Sequence, residues 1–148
     1  MIARLLVPLF ALLFAAALRA EVVDIGNAEL ARLLAAGVPL VDIRTEAEWK
    51  QTGVVPGSRL ITLFDERGRA DAPAWLQKMG GVAPANQPVI VICRSGNRTR
   101  AASRILAEQG GYQKVYNVSE GIRGWAGEGR PMTPAPAAVA SCPPGASC

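Results

Sequence analysis

The sequence contains no histidine, which removes the commonest general base and the commonest metal ligand at one stroke. Cysteine–histidine and serine–histidine catalytic pairs are therefore excluded. Cysteine is scarce: Cys93 stands alone, and Cys142 and Cys148 lie near the end, with no Cys-x-x-Cys spacing among them. Two such cysteines do not make a zinc set, so neither metal nor cofactor is expected. Aromatic residues are only 5% of the chain, and no basic run is interleaved with them, so a stacking platform for nucleic acid is excluded. No apolar run reaches the roughly 20 residues of a membrane helix.

The longest apolar run, Leu5 to Leu18, follows the short basic start Met1-Ile2-Ala3-Arg4 and ends in small residues. This is the pattern of a secretory signal over residues 1–20, with cleavage expected after Ala20 or at a second small-residue site in Ala15-Ala16-Ala17. An uncleaved anchor is the alternative. The mature chain is expected to be exported to the bacterial periplasm, without stable insertion in the membrane. Without Arg4 and Arg19 it carries 14 basic and 12 acidic residues, so the pI of 9.3 overstates its basicity. The remainder divides into one domain, 21–131, and a flexible tail, 132–148, rich in Pro and Ala. In an oxidising compartment Cys142 and Cys148, separated by the turn-forming Pro143-Pro144-Gly145-Ala146-Ser147, can pair and leave Cys93 free. Inert tail thiols, or a redox role toward Cys93, are the other readings.

What the chain does have is Val89-Ile90-Val91-Ile92-Cys93-Arg94-Ser95-Gly96-Asn97-Arg98. A β-branched apolar run ends in a thiol. A loop over Arg94–Arg98 follows, then a helix from Thr99 to Glu108. A cysteine at this handover faces unpaired backbone N–H groups and the positive end of the helix dipole. With Arg94 and Arg98 nearby, the thiolate is favoured. Lowering a thiol pKa from about 8.5 to about 7 gains roughly tenfold in nucleophile at neutral pH.

Around this stretch, strands and helices alternate. Strands are expected at Val22–Ile25, Val38–Ile43, Arg59–Leu63, Val89–Ile92 and Lys114–Val118. Helices are expected from Asn27, as N-cap, to Gly37, and over Glu46–Gln51, Ala74–Met79, Thr99–Glu108 and Glu120–Ala126. Thr45 and Glu48 have capping-box spacing. The strands are near-continuous apolar runs, which predicts a mostly parallel five-stranded sheet covered on both faces, an α/β fold of three layers. Such folds bind ligands at the carboxyl ends of their strands, where Cys93, Asp42 and Arg44 all fall.

Four ordered blocks then carry a resemblance. They are Leu40-Val41-Asp42-Ile43-Arg44-Thr45-Glu46-Ala47-Glu48-Trp49, Gly53-Val54-Val55-Pro56-Gly57-Ser58, the loop Cys93–Arg98, and Glu120-Gly121-Ile122-Arg123-Gly124-Trp125. Between about Glu21 and Pro131 the sequence resembles a single-domain rhodanese, departing at Val54, where that family often has histidine. The resemblance implies a rhodanese-like α/β/α fold and a sulfurtransferase. In it Cys93 takes a sulfane sulfur from thiosulfate or a related donor, becomes a persulfide, and passes the sulfur to a thiol- or cyanide-type acceptor.

The residues suit that chemistry independently. Attack by a thiolate with sulfite leaving needs no general base, and the amides of Arg94–Arg98 can form an anion-binding nest if Gly96 turns left-handed. Arg94 and Arg98 can bind the donor's oxygens, although one can brace the loop instead; Ser95 and Asn97 can add a hydroxyl and an amide. Asp42 and Arg44 read as a partner pair near the site, either structural or touching substrate. Glu46 and Glu48 read as favourable charges at a helix start, and Trp49, Trp75 and Trp125 as packing residues. Two rivals remain. One is a binding or sulfur-carrier module on the same frame without turnover. The other is a cysteine phosphatase, disfavoured because its loop needs arginine six places after the cysteine, where this chain has Thr99.

Overall fold

The computed structural model describes residues 19–135. The export segment within 1–18 and the cysteines Cys142 and Cys148 lie outside the described residues. Five strands and five helices alternate: β1 (Glu21–Ile25), α1 (Asn27–Ala35), β2 (Leu40–Asp42), α2 (Glu46–Thr52), β3 (Arg59–Leu60), α3 (Ala72–Gly80), β4 (Val89–Ile92), α4 (Asn97–Glu108), β5 (Lys114–Val118) and α5 (Gly121–Gly127). The strands form one sheet in the order β1-β5-β4-β2-β3, and every pair is parallel.

The central strand β4 explains the layering. All four of its residues are fully buried, Val89 and Val91 facing one layer and Ile90 and Ile92 the other. On the first side they meet Trp75 and Met79 of α3 and Ala102 and Leu106 of α4. On the second they meet Leu30 and Leu33 of α1 and Ile122 and Trp125 of α5. A strand with two apolar faces has no side to offer water, so helices must cover both. Helix α2 belongs to the second side, because its Trp49 packs on Leu60 while Ile61 faces the first. The chain after β2 thus turns to one face and the chain after β4 to the other. A crevice opens between these adjacent strands, at their carboxyl ends.

Several boundaries differ from the sequence expectation. Helix α1 is capped by Gly26, not Asn27; Asn27 is its first residue and is buried. Strand β3 is two residues long because beyond Leu60 the chain keeps only single contacts with β2, Ile61 N–H to Asp42 O and Leu63 N–H to Ile43 O. Helix α4 begins at Asn97, two residues early. Helix α3 also begins early, at Ala72, because the Asp71 carboxylate accepts from the Ala74 amide at 3.0 Å. The ordered chain also runs past Pro131. Thr133 exchanges both backbone hydrogen bonds with Val54 at 2.9 Å, and Ala135 is buried with Trp49, Val54 and Leu60. This strap starts at α5, where Pro131 O accepts from the Trp125 indole at 2.8 Å, and ends on α2.

One buried ion pair fastens β2 to the end of α2. Arg44 and Asp42 are both at most 1% exposed. The guanidinium donates to both carboxylate oxygens (Nε to Oδ1 3.0 Å, Nη2 to Oδ2 2.7 Å), and also to Thr52 Oγ1 at 2.7 Å and Gly53 O at 2.8 Å. Every partner is internal, so removing one leaves a buried charge uncompensated. Asp42→Ala is expected to cost about 3–5 kcal/mol in urea unfolding, and a well-packed Asp42→Leu/Arg44→Met double variant to recover much of that loss.

Candidate active site

The loop between β4 and α4 starts at Cys93, which is 1% exposed. Gly96 takes a left-handed backbone, φ +86°, and serves as N-cap of α4. That turn swings its N–H onto Cys93 Sγ at 3.2 Å. Thr99, in the first turn of α4 and fully buried, places Oγ1 3.5 Å from the sulfur and 3.0 Å from Gly96 O, so its single proton can turn to either and goes to the sulfur when that is a thiolate. Burial pushes the Cys93 thiol up. The Thr99 hydroxyl, with the amides of Thr99, Ser95 and Gly96, outweighs it and holds the pKa below the ordinary thiol value. The expected arginines are not the main cause.

The peptide groups of the loop face two ways. While amides point at the sulfur, the carbonyls of Cys93 and Arg94 accept from the first amides of α5, Ile122 N–H at 2.8 Å and Arg123 N–H at 3.1 Å. Contact is too close for side chains at two points. A Cβ on Gly96 would lie 2.1 Å from Ser119 O, and one on Gly121, at φ +60°, would lie 2.5 Å from Cys93 O. The block Glu120–Trp125, read from sequence as a short helix with a packing tryptophan, is therefore also the back wall of the cysteine loop.

Arg98 does not reach for a ligand. It forms a two-pronged pair with Glu48 (2.8 and 2.6 Å), whose carboxylate also accepts from the Thr45 amide as half of a capping box. The Arg98 hydrogen bonds hold the Glu48 carboxyl down at about 2. Glu48, read from sequence as a helix-start charge, thus joins α2 to the cysteine loop. The site cations that make no ion pair among the described residues are Arg94 and Arg123, both exposed. Arg123 was missed because, without the fold, nothing connects it to Cys93.

Arg94 and Arg123 line an open cavity of about 640 Å³ together with Ser95, Asn97 and Arg98 of the loop and the carboxylates of Glu48, Asp65 and Glu66. A smaller cavity of about 250 Å³ adjoins it between Arg44, Thr52, Arg94 and Ile122. The structure thus brings Cys93–Arg98 together, sets the Asp42–Arg44 pair behind the wall made by α2, and adds Thr99, Glu48, Gly121 and Arg123. Among the described residues no group of side chains could hold a metal ion, and no helix is long and apolar enough to cross a membrane.

Residues 26–128 match the sequence profile of the rhodanese-like domain. The chain belongs to the rhodanese-like family. A rhodanese domain-containing protein of Drosophila melanogaster is 40% identical over 92 residues, covering 60% of this chain and 82% of its own. A protein named sulfurtransferase from Allochromatium vinosum is 35% identical over 95 residues, covering 64% and 78%. A crystal structure of a Mycobacterium tuberculosis protein superposes with a TM-score of 0.62 at 28% identity, over 77% of this chain and 98% of that one. This rhodanese-like sheet is parallel throughout, where the sequence predicted only a mostly parallel one.

Two expectations follow from this rhodanese-like site. Thr99→Val keeps the shape and removes the hydroxyl, so the thiolate should appear at higher pH; ultraviolet titration of Cys93 against wild type would read it, and an unchanged curve would contradict the assignment. Glu48 has its folded pKa depressed, so its contribution to stability is complete above the unfolded value near 4.5 and is lost as pH falls toward about 2. Glu48→Gln should abolish that part of the pH dependence in acid unfolding.

Proposed function

We propose that this protein is a sulfurtransferase that moves a sulfane sulfur from thiosulfate, or a related anionic donor, to a thiophilic acceptor through a persulfide on Cys93. The observation that carries the reading is the seat of the sulfur: Gly96 N–H at 3.2 Å and Thr99 Oγ1 at 3.5 Å, on a thiol whose pKa is lowered. Donors that stabilise a thiolate can also stabilise the terminal sulfur of a persulfide, since both are sulfur anions.

Each step is a displacement at sulfur. The Cys93 thiolate attacks the outer sulfur of the donor, the donor's S–S bond breaks, and sulfite leaves with the electron pair. The acceptor then attacks the outer sulfur of the persulfide and Cys93 leaves as thiolate. Neither step requires a proton relay, which fits a site built without histidine. Arg94 and Arg123, exposed at the cavity edge, supply the charge that a dianionic donor would meet. Arg98 is spent on Glu48, so its role is to brace. Because Cys93 is 1% exposed, a donor has to reach a buried sulfur through the loop's surface, which favours a small, protruding sulfane group over a buried one. Export to the periplasm is part of the proposal and rests on the basic, apolar and small-residue order of positions 1–20.

Intact mass of the purified chain, before and after thiosulfate, tests the reading. A gain of one sulfur atom is expected, reversed by cyanide with thiocyanate formed, and absent in Cys93→Ser. No adduct from thiosulfate or polysulfide, with Cys93 free, would leave a carrier-frame binding module as the better description.

A further inference from the structure

Basic side chains that the cysteine chemistry leaves unused lie along one face of α4. At about 100° per residue, Asn97, Ala101, Arg104 and Glu108 fall on a single stripe with Arg100 beside it. All are exposed, opposite the buried Thr99, Ala102 and Leu106. Asn97 lines the larger cavity, so the stripe starts at the site and reaches Arg104 about 10 Å further on, at about 1.5 Å per residue. Neither Arg100 nor Arg104 lines that cavity, and neither makes an ion pair among the described residues. Elsewhere on the surface Arg32, Lys50, Arg69, Lys114 and Arg130 each sit against a carboxylate. With Arg94 and Arg123, guanidinium groups without an ion pair thus run from the cavity along α4. The carboxylates beside them that also lack an ion pair are Glu66 in the cavity and Glu108 in the last turn.

Nothing inside the chain accounts for the row. The first turn of α4 has no acidic residue, which the helix dipole favours there, and holds Arg98 and Arg100 instead. Arg100 and Arg104, four positions apart, add like-charge repulsion. The Cys93 thiol does not need them, because its acidity comes from Thr99 and the loop amides. Charges that work against their own helix and serve neither packing nor the thiol are matched by charge from outside. A small dianion in the cavity is too short to engage Arg104. A lipid surface is held by inserted apolar side chains as well as by charge, and among the described residues Val22 of β1 is the one large apolar side chain exposed. An acidic protein surface fits both the length and the sign.

We propose that the exposed face of α4 is the docking surface for an acidic acceptor protein, whose carboxylates lie along Arg100 and Arg104 while its cysteine enters the cavity and takes the sulfur from Cys93. The proposal rests on the persulfide chemistry argued above. The partner's thiol first gives its proton to solvent. Its thiolate attacks the outer sulfur of the Cys93 persulfide, a new S–S bond forms, the bond from that sulfur to Cys93 breaks, and Cys93 leaves with the electron pair as thiolate. The partner departs as the persulfide, with no net oxidation or reduction. Glu108 repels a carboxylate set beyond the second turn of α4, which fixes the register of the partner.

The test loads the full mature chain with sulfur from thiosulfate, removes excess donor, and follows transfer to short capped peptides by mass. Each peptide has one central cysteine, flanked by Asp and Glu, by Ser, or by Lys. At about 0.01 M ionic strength, where the screening length is about 30 Å, Arg100→Ser/Arg104→Ser should slow transfer to the acidic peptide about tenfold. Transfer to the Ser-flanked peptide and to cyanide should stay within about twofold of wild type, and Arg100→Lys/Arg104→Lys should retain most of the rate with the acidic peptide. At about 1 M salt, where screening falls to about 3 Å, wild type and the Ser variant should converge. An unchanged rate with the acidic peptide overturns the proposal, as does equal slowing with every acceptor. Sedimentation with phosphatidylglycerol–phosphatidylcholine vesicles that the Ser variant loses, beside unchanged peptide rates, also overturns it and assigns the row to lipid. Absence of the persulfide in wild type and every variant overturns the sulfurtransferase reading itself, a result distinct from the others, in all of which the persulfide forms.

Discussion

The site depends on how one short stretch of backbone divides its polar groups. In the cysteine loop the amides of Ser95 and Gly96 are turned toward a sulfur atom, and the carbonyls of Cys93 and Arg94 toward the start of α5. A peptide group can serve two neighbours only if both are close, and here closeness means backbone against backbone. Ser119 O sits where a Gly96 side chain would begin, and Cys93 O where a Gly121 side chain would begin. The left-handed turn at Gly96 is therefore both the means of aiming an N–H at the sulfur and the means of letting β5 and α5 approach. The acidity of the thiol is a property of this sandwich more than of any charged side chain.

Charge is handled separately. Four basic side chains follow Cys93 within a dozen residues, and the sequence invites the thought that they all serve an anion. The fold spends Arg98 on Glu48, leaves Arg94 without an ion pair among the described residues, and brings Arg123 to the same cavity from the start of α5. Arg44, which sequence also placed near the site, is sealed with Asp42 under α2 and holds the wall up from behind. A buried guanidinium with four of its five N–H groups bonded inside the protein has little left to offer a ligand.

Much of this was legible beforehand, and the reason is local. The β4 run of four β-branched residues, the Thr45–Glu48 cap and the glycines after helices each declare themselves within a few residues, so the alternating α/β order and the place of Cys93 follow from short windows of sequence. What was not legible depends on contacts between distant segments. Thr99 looks like any helix residue until the loop shortens by two positions and brings its hydroxyl to the sulfur. Glu48 satisfies a local rule so completely that its second partner, fifty residues away, leaves no trace in spacing. Met132 to Ala135 look like tail because Pro and Ala carry no periodicity, yet two backbone hydrogen bonds and one buried methyl group fix them.

The placement of β4 has a consequence for how such a molecule can change over generations. Cys93, the proposed nucleophile, follows directly from a strand buried on both faces, among the last parts of a domain to open. The side chains that a visiting molecule meets first, Arg94, Arg123 and Glu66, are exposed and bear no packing duty. Most substitutions at exposed positions of that kind leave stability within about half a kcal/mol, whereas those in a packed core do not. The surroundings of the thiol are thus inherited with the fold, while, under the proposed function, preference for one sulfur compound over another can drift residue by residue at the cavity edge.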